Sequence, residues 1–110
     1  MYDSALKATR LRLPTCRPEI RHVYHQYVVR CEQRDALGKF LHENGIGTLV
    51  HYPVPVHLQP AYRDIAVHPG DLHNSEQSAA QVLSLPMYAE LSPVEIHSVT
   101  EAILTWDRSK

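Results

Sequence analysis

The stretch from residue 22 to residue 53, "HVYHQYVVRCEQRDALGKFLHENGIGTLVHYP", decides the fold, because its hydrophobic period changes twice along its length. Residues 22–31 alternate as a strand does. Val23, His25, Tyr27, Val29 and Cys31 share one face, and all but His25 are apolar, so that face should be buried. From Arg34 to Asn44 the period becomes helical, with Ala36, Leu37, Phe40 and Leu41 on one stripe. Gly45 suits the left-handed position that follows a helix, and Ile46 is placed to fold back on the last turn. "GTLVHY" (47–52) then reads as a second short strand, stopped by Pro53.

C-terminal to this unit lies "HYPVPVHLQPAY" (51–62), whose three prolines forbid regular structure and stiffen the chain. Asn74, with Gln77 three residues on, predicts an N-cap for a helix running to about Leu83. "LSLP" (83–86) is short, apolar and bounded by Pro86, as a third strand would be. The last helix has the fullest signature: Ser92 as cap, Pro93 at the first helical position and Glu95 completing a capping box. Ile96, Val99, Ile103 and Trp106 then fall on one face, with Ala102 beside them. N-terminal to the opening stretch, residues 1–21 read as a lead-in to a single small domain over 22–110. The expected architecture is α/β, a two-layer α+β sandwich with a small, mainly antiparallel sheet and helices packed over one face.

The chain has 110 residues, long enough for one core that removes roughly 65% of the unfolded surface from water. Its formal net charge of −1 argues against a general nucleic-acid binder. The charge is uneven, however: residues 1–40 carry eight Lys/Arg against four Asp/Glu, and 41–110 carry three against eight. Such asymmetry marks either two solvated faces or a surface for a charged partner. Cys16 and Cys31 are too few for a disulfide framework and are expected as buried or half-buried thiols of a cytoplasmic protein. No apolar run approaches the roughly 18 residues of a membrane span, and the N-terminus lacks a secretory signal pattern.

Eight histidines invite a metal, but spacing opposes it. On a strand, His22 and His25 point to opposite faces; His51 and His57 have no Cys, Asp or Glu close in sequence to complete a site. No serine sits in a G-x-S-x-G elbow. "ENGIGT" enters a strand from a helix, the reverse of a phosphate loop. The candidate ligand contacts that survive are His51, Tyr52 and His57. Imidazole and phenol donate hydrogen bonds to phosphate or sugar oxygens, and prolines fix them before a ligand arrives. The alternative is that the aromatic residues cap the core while the histidines face solvent.

Three separated segments, "HVYHQYVVR", "RDALGKFLHENGIGTLVHYPVPVHLQPAY" and "SLPMYAELSPVEIHSV", together resemble one family. The chain is similar to the C-terminal part of the DegT/DnrJ/EryC1/StrS aminotransferases, pyridoxal-phosphate enzymes of fold type I that act on nucleotide-linked keto-sugars. The likeness runs from about Tyr2 to Trp106. It implies a small α/β domain closing over a larger cofactor domain, with His51 and Tyr52 near the cofactor and sugar and His57 in or beside the same wall. Transamination needs a Schiff-base lysine, an acid on the pyridine nitrogen and phosphate-binding groups. Lys7, Lys39 and Lys110 are the only lysines, and none matches the family's motif.

The resemblance therefore implies a detached C-terminal domain, without the large pyridoxal-phosphate domain and inactive alone, that supplies one wall of a nucleotide-sugar pocket. No residue of this chain is expected to be catalytic, to hold the cofactor or to bind metal. A stand-alone binding or self-association module reusing the fold is the alternative, and an unrelated small enzyme or metal protein is a third reading. The first two both predict a homo-oligomer, since a domain without its neighbour leaves apolar surface to cover.

Overall fold

The computed structural model describes residues 1–110. Its elements in chain order are α1 (Tyr2–Leu6), β1 (Tyr27–Arg30), α2 (Arg34–Glu43), α3 (His73–Gln81), β2 (Val82–Leu85) and α4 (Pro93–Arg108). Two short 3-10 turns, Val56–Leu58 and Pro60–Tyr62, interrupt the proline-rich loop. β1 and β2 pair antiparallel, with Tyr27 opposite Leu85, Val28 opposite Ser84, Val29 opposite Leu83 and Arg30 opposite Val82. The small antiparallel sheet with packed helices is the expected architecture.

Register explains the layers. Tyr27, Val29, Leu83 and Leu85 share one face of the pair and are buried with Leu37 and Leu41 of α2 and Val99, Ile103 and Trp106 of α4. Residues of the other parity, Val28, Arg30, Val82 and Ser84, point away from that layer. To this second face α3 and the loop at His51 are bonded, through Arg30 and Ser84 respectively. No helix is long and apolar enough to cross a membrane.

Several elements differ from the sequence reading, each for a local reason. The first strand starts at Tyr27, not His22. Tyr24 adopts φ 49°, which turns the chain and ends the alternation, leaving Val23 85% exposed. Its N–H donates to His22 Nδ1 at 2.8 Å, and its ring stacks at 5.9 Å on Tyr27. "GTLVHY" contributes a single bridge rather than a strand, Leu49 exchanging both backbone bonds with Ser84. α3 begins at His73 with Leu72 in the cap position, so Asn74 lies inside the first turn and caps nothing. The strand drawn from "LSLP" begins one residue earlier, at Val82, directly where α3 stops. Cys16 is exposed, its thiol donating to Ile20 O, while Cys31 is buried as expected.

Residues 1–21, read as a lead-in, carry α1 and supply Tyr2, Leu6 and Leu11 to the core cluster. Tyr2 packs against the Tyr27 ring, tilted by 40° at 4.8 Å, and donates its phenol to Pro86 O at 2.9 Å. Burial pushes that phenol up to about 12. The two helix ends that sequence marked most clearly are built as expected. At α2, Gly45 takes φ 76°, its N–H bonds His42 O and the Ile46 N–H bonds Leu41 O, a Schellman pattern. At α4 the Ser92–Glu95 capping box is complete in both directions.

Candidate functional site

The end of α2 sets the site's geometry. The Gly45 turn sends residues 47–50 along the edge of β2 that β1 leaves open, where the Leu49–Ser84 bridge fixes their height. His51 follows at once and lies over Ser84. Its Nδ1 sits 2.8 Å from the Ser84 hydroxyl, which is buried between the two neighbouring segments. One ring nitrogen is thus anchored by the sheet, and Nε2 makes no hydrogen bond within the chain. Tyr52, joined to His51 by a cis peptide, meets its ring edge-on at 5.4 Å and is 72% exposed. An anchored imidazole beside an exposed phenol is a preorganised pair of hydrogen-bonding groups.

His57 is placed differently. Its side chain is only 4% exposed, and Nε2 lies 2.9 Å from Glu76 Oε1 on α3. The same carboxylate oxygen accepts the Gly70 N–H at 2.7 Å. Glu76 therefore ties both ends of the 57–70 loop to the start of α3. The bonds from His57 and Gly70 hold its carboxyl below the usual carboxylate range. Because the folded-state value is depressed, the clasp's contribution is complete above about pH 4.5 and fades as pH falls through the lower folded value. In urea titrations, Glu76→Gln is expected to destabilise the domain at pH 7 and to flatten the stability loss between pH 5 and pH 3. A variant as acid-sensitive as the parent would show that the clasp is not the titrating element.

His51, Tyr52 and His57 border one open, mostly apolar depression of about 540 Å³, with Val54, Ile65 and Leu72 on its sides. His51 also borders a second cleft, of about 770 Å³, together with Ser84, Met87 and Tyr88. It is the residue the two share. Burial and the Glu95 carboxylate push the Tyr88 phenol up. The three predicted residues are thus brought together, although His57 is turned inward while Tyr52 faces out.

Sequence reasoning missed Ser84 and Glu76. Ser84 had one available signal, a lone hydroxyl inside the apolar run "VLSLP"; Glu76 had none, since its partners lie 19 and 6 residues away. The three lysines are elsewhere. Lys39 is exposed on α2 and 3.8 Å from Glu43, Lys110 lies over the Trp106 ring, and Lys7 is exposed at the end of α1. None borders either depression.

Comparison with known proteins places this geometry in a lineage. A dTDP-3-amino-3,4,6-trideoxy-alpha-D-glucose transaminase from Streptomyces venezuelae is 45% identical over 94 residues, covering 86% of this chain and 25% of that protein. A pleiotropic regulatory protein from Geobacillus stearothermophilus is 44% identical over 87 residues, 79% of this chain and 23% of its own length. Among solved structures, S. venezuelae DesV in complex with a ketimine intermediate superposes with a TM-score of 0.93 at 42% identity, over 96% of this chain and 29% of that one. The chain spans about a quarter of the length of the curated relatives it matches. The pattern that defines the DegT/DnrJ/EryC1/StrS aminotransferase family matches residues 1–104, and the chain belongs to that family.

Proposed function

We propose that this chain is the small C-terminal domain of a nucleotide-sugar aminotransferase, supplying one wall of the pocket for a nucleotide-linked keto-sugar. The observation that carries the reading is the Ser84-anchored His51 beside exposed Tyr52, at the lip of an apolar depression. A sugar ring offers hydroxyls to those donors and an apolar face to Val54 and Ile65. His57 serves the wall from behind: bonded to Glu76, it fixes the loop that holds the depression open.

The family depends on pyridoxal phosphate. That cofactor supplies an electron sink once an amine is joined to it, and its resting form is held by a lysine. The residues of this chain do not fit that task, since no lysine borders either depression. The amine and the acid facing the pyridine nitrogen are therefore assigned to a cofactor-bearing domain that closes against this one. The chain alone is inactive in this reading. The exposed apolar side chains of Tyr52, Val54 and Val56 form part of the surface that such a domain, or a second copy of the chain, covers. One observation favours the alternative of an autonomous binding or self-association module: the core closes as a single cluster within these residues.

Titration of the chain with a dTDP-hexose, followed by amide-resolved NMR, tests the pocket. Shifts centred on residues 51–62 and on Ser84 are expected, and His51→Ala/Tyr52→Ala should weaken binding about tenfold or more with the spectrum otherwise unchanged. If the double variant binds as the parent does, these residues are not the wall.

A further inference from the structure

On the opposite edge of the sheet, where Arg12 bridges β1 as Leu49 bridges β2, three arginines border one depression of about 370 Å³: Arg10, Arg12 and Arg30. Arg12 and Arg30 form an isolated antiparallel bridge, exchanging backbone bonds of 3.0 and 2.9 Å. Such a pair sets two side chains directly opposite each other, and like charges placed so repel. A fold with nothing to neutralise would not benefit from that arrangement.

The compensation inside the chain is incomplete. Arg10 is paired with Asp107, Nε to Oδ1 at 3.0 Å, and donates again to the Asp107 carbonyl. Arg30 is satisfied only by neutral groups, the side-chain oxygens of Gln81 at 2.8 Å and Gln77 at 3.3 Å. With those oxygens turned to the guanidinium, the two carboxamide nitrogens make no hydrogen bond within the chain and face solvent. Arg12 is exposed and bonds within the chain only through its backbone, so its five guanidinium donors face solvent, where an anion can reach them. Against three cations stand Asp107, already engaged, and Glu32, which lines the same depression. The depression thus presents a surplus of positive charge and of N–H donors and few acceptors.

We propose that this depression binds a phosphate-class anion, the phosphate or diphosphate group of a small molecule. The free Arg12 fork takes two oxygens, as guanidinium does with phosphate, and the Gln77 and Gln81 amides take others. Filling it also removes the Arg12–Arg30 repulsion. The site is separate from the His51 pocket, so its occupant need not be the sugar nucleotide.

The test is a titration of the chain with inorganic phosphate and with pyrophosphate, against sodium chloride at matched ionic strength, followed by NMR of the arginine Nε–H and glutamine side-chain groups. Saturable shifts of Arg12, Arg30, Gln77 and Gln81 are expected with either probe and not with chloride. A stronger response to pyrophosphate assigns a diphosphate, and an equal one a single phosphate. Arg12→Gln should weaken binding about tenfold, whereas Arg21→Gln, which removes the same charge elsewhere on the surface, should leave it unchanged. Arg12 is exposed and makes no side-chain hydrogen bond or ion pair, so the variant is expected to remain folded, which its dispersed amide spectrum checks. Shifts reproduced by chloride, or equal losses in the two variants, would overturn the site.

Discussion

Leu6→Ala is expected to destabilise the chain by about 2–5 kcal/mol, read as a lower urea midpoint with an unchanged slope. Leu6 has no exposed surface, and α1, which carries it, lies against α4 beside buried Tyr2. Removing its methyl groups leaves a void that two packed helices cannot close. A small domain has only about 5–15 kcal/mol to lose in total, so removal of residues 1–7 should abolish cooperative unfolding altogether. Val94→Ala is the control: Val94 is exposed on α4, and its loss should stay within about 0.5 kcal/mol. A loss of less than about 1 kcal/mol for Leu6→Ala, against the 2–5 that cavity formation demands, would mean that residues 1–21 are an appendage. We propose instead that the folding unit includes α1.

Arg34→Met should cost about 3 kcal/mol, the second largest effect. The Arg34 guanidinium is buried where α3 meets β2 and donates to Ala79 O at 3.1 Å and Val82 O at 3.0 Å. These are carbonyls that helix geometry leaves without partners. Methionine keeps the apolar stem but leaves both oxygens without their donor, and the Ala79 oxygen is buried. Arg34→Lys should recover less than half of the loss, because lysine has no Nε to hold Asp35 while its end group reaches the two carbonyls that Nη1 bonds. The consequence extends to the site, since Val82 and Ser84 belong to the same four-residue strand. A loosened strand start should also broaden the resonances of Ser84 and His51. Sharp His51 signals in a destabilised Arg34→Met would show that the anchor is independent of the α3–β2 junction.

What was legible in the sequence was whatever is encoded within one turn or one strand. The Ser92 capping box, the Gly45 turn and the Val99–Ile103–Trp106 face of α4 each depend on residues three or four apart, and each is built as read. The readings that failed turned on a local change of backbone direction or on a distant partner. Alternation from His22 persists in sequence but not in space, because one positive φ at Tyr24 redirects the chain. "GTLVHY" has the composition of a strand, yet only Leu49 finds a neighbour to bond. At the candidate site, His51 and Tyr52 could be named from residue type and proline context. The Ser84 anchor could not, since 33 residues separate it from His51. His57 was named as a neighbour of the pocket, and its chemistry proved to be directed at Glu76.

The contact between Arg10 and Asp107 spans 97 positions, and that between Tyr2 and Pro86 spans 84. Translation adds about 5–20 residues per second, so the first helix has to wait about 5–20 seconds for the helix that covers it. During that interval Tyr2 and Leu6 present an uncovered apolar face on a five-residue segment too short to be helical alone. Order in this domain therefore arrives late and from its far end: its N-terminal helix is among the last of its segments to be fixed.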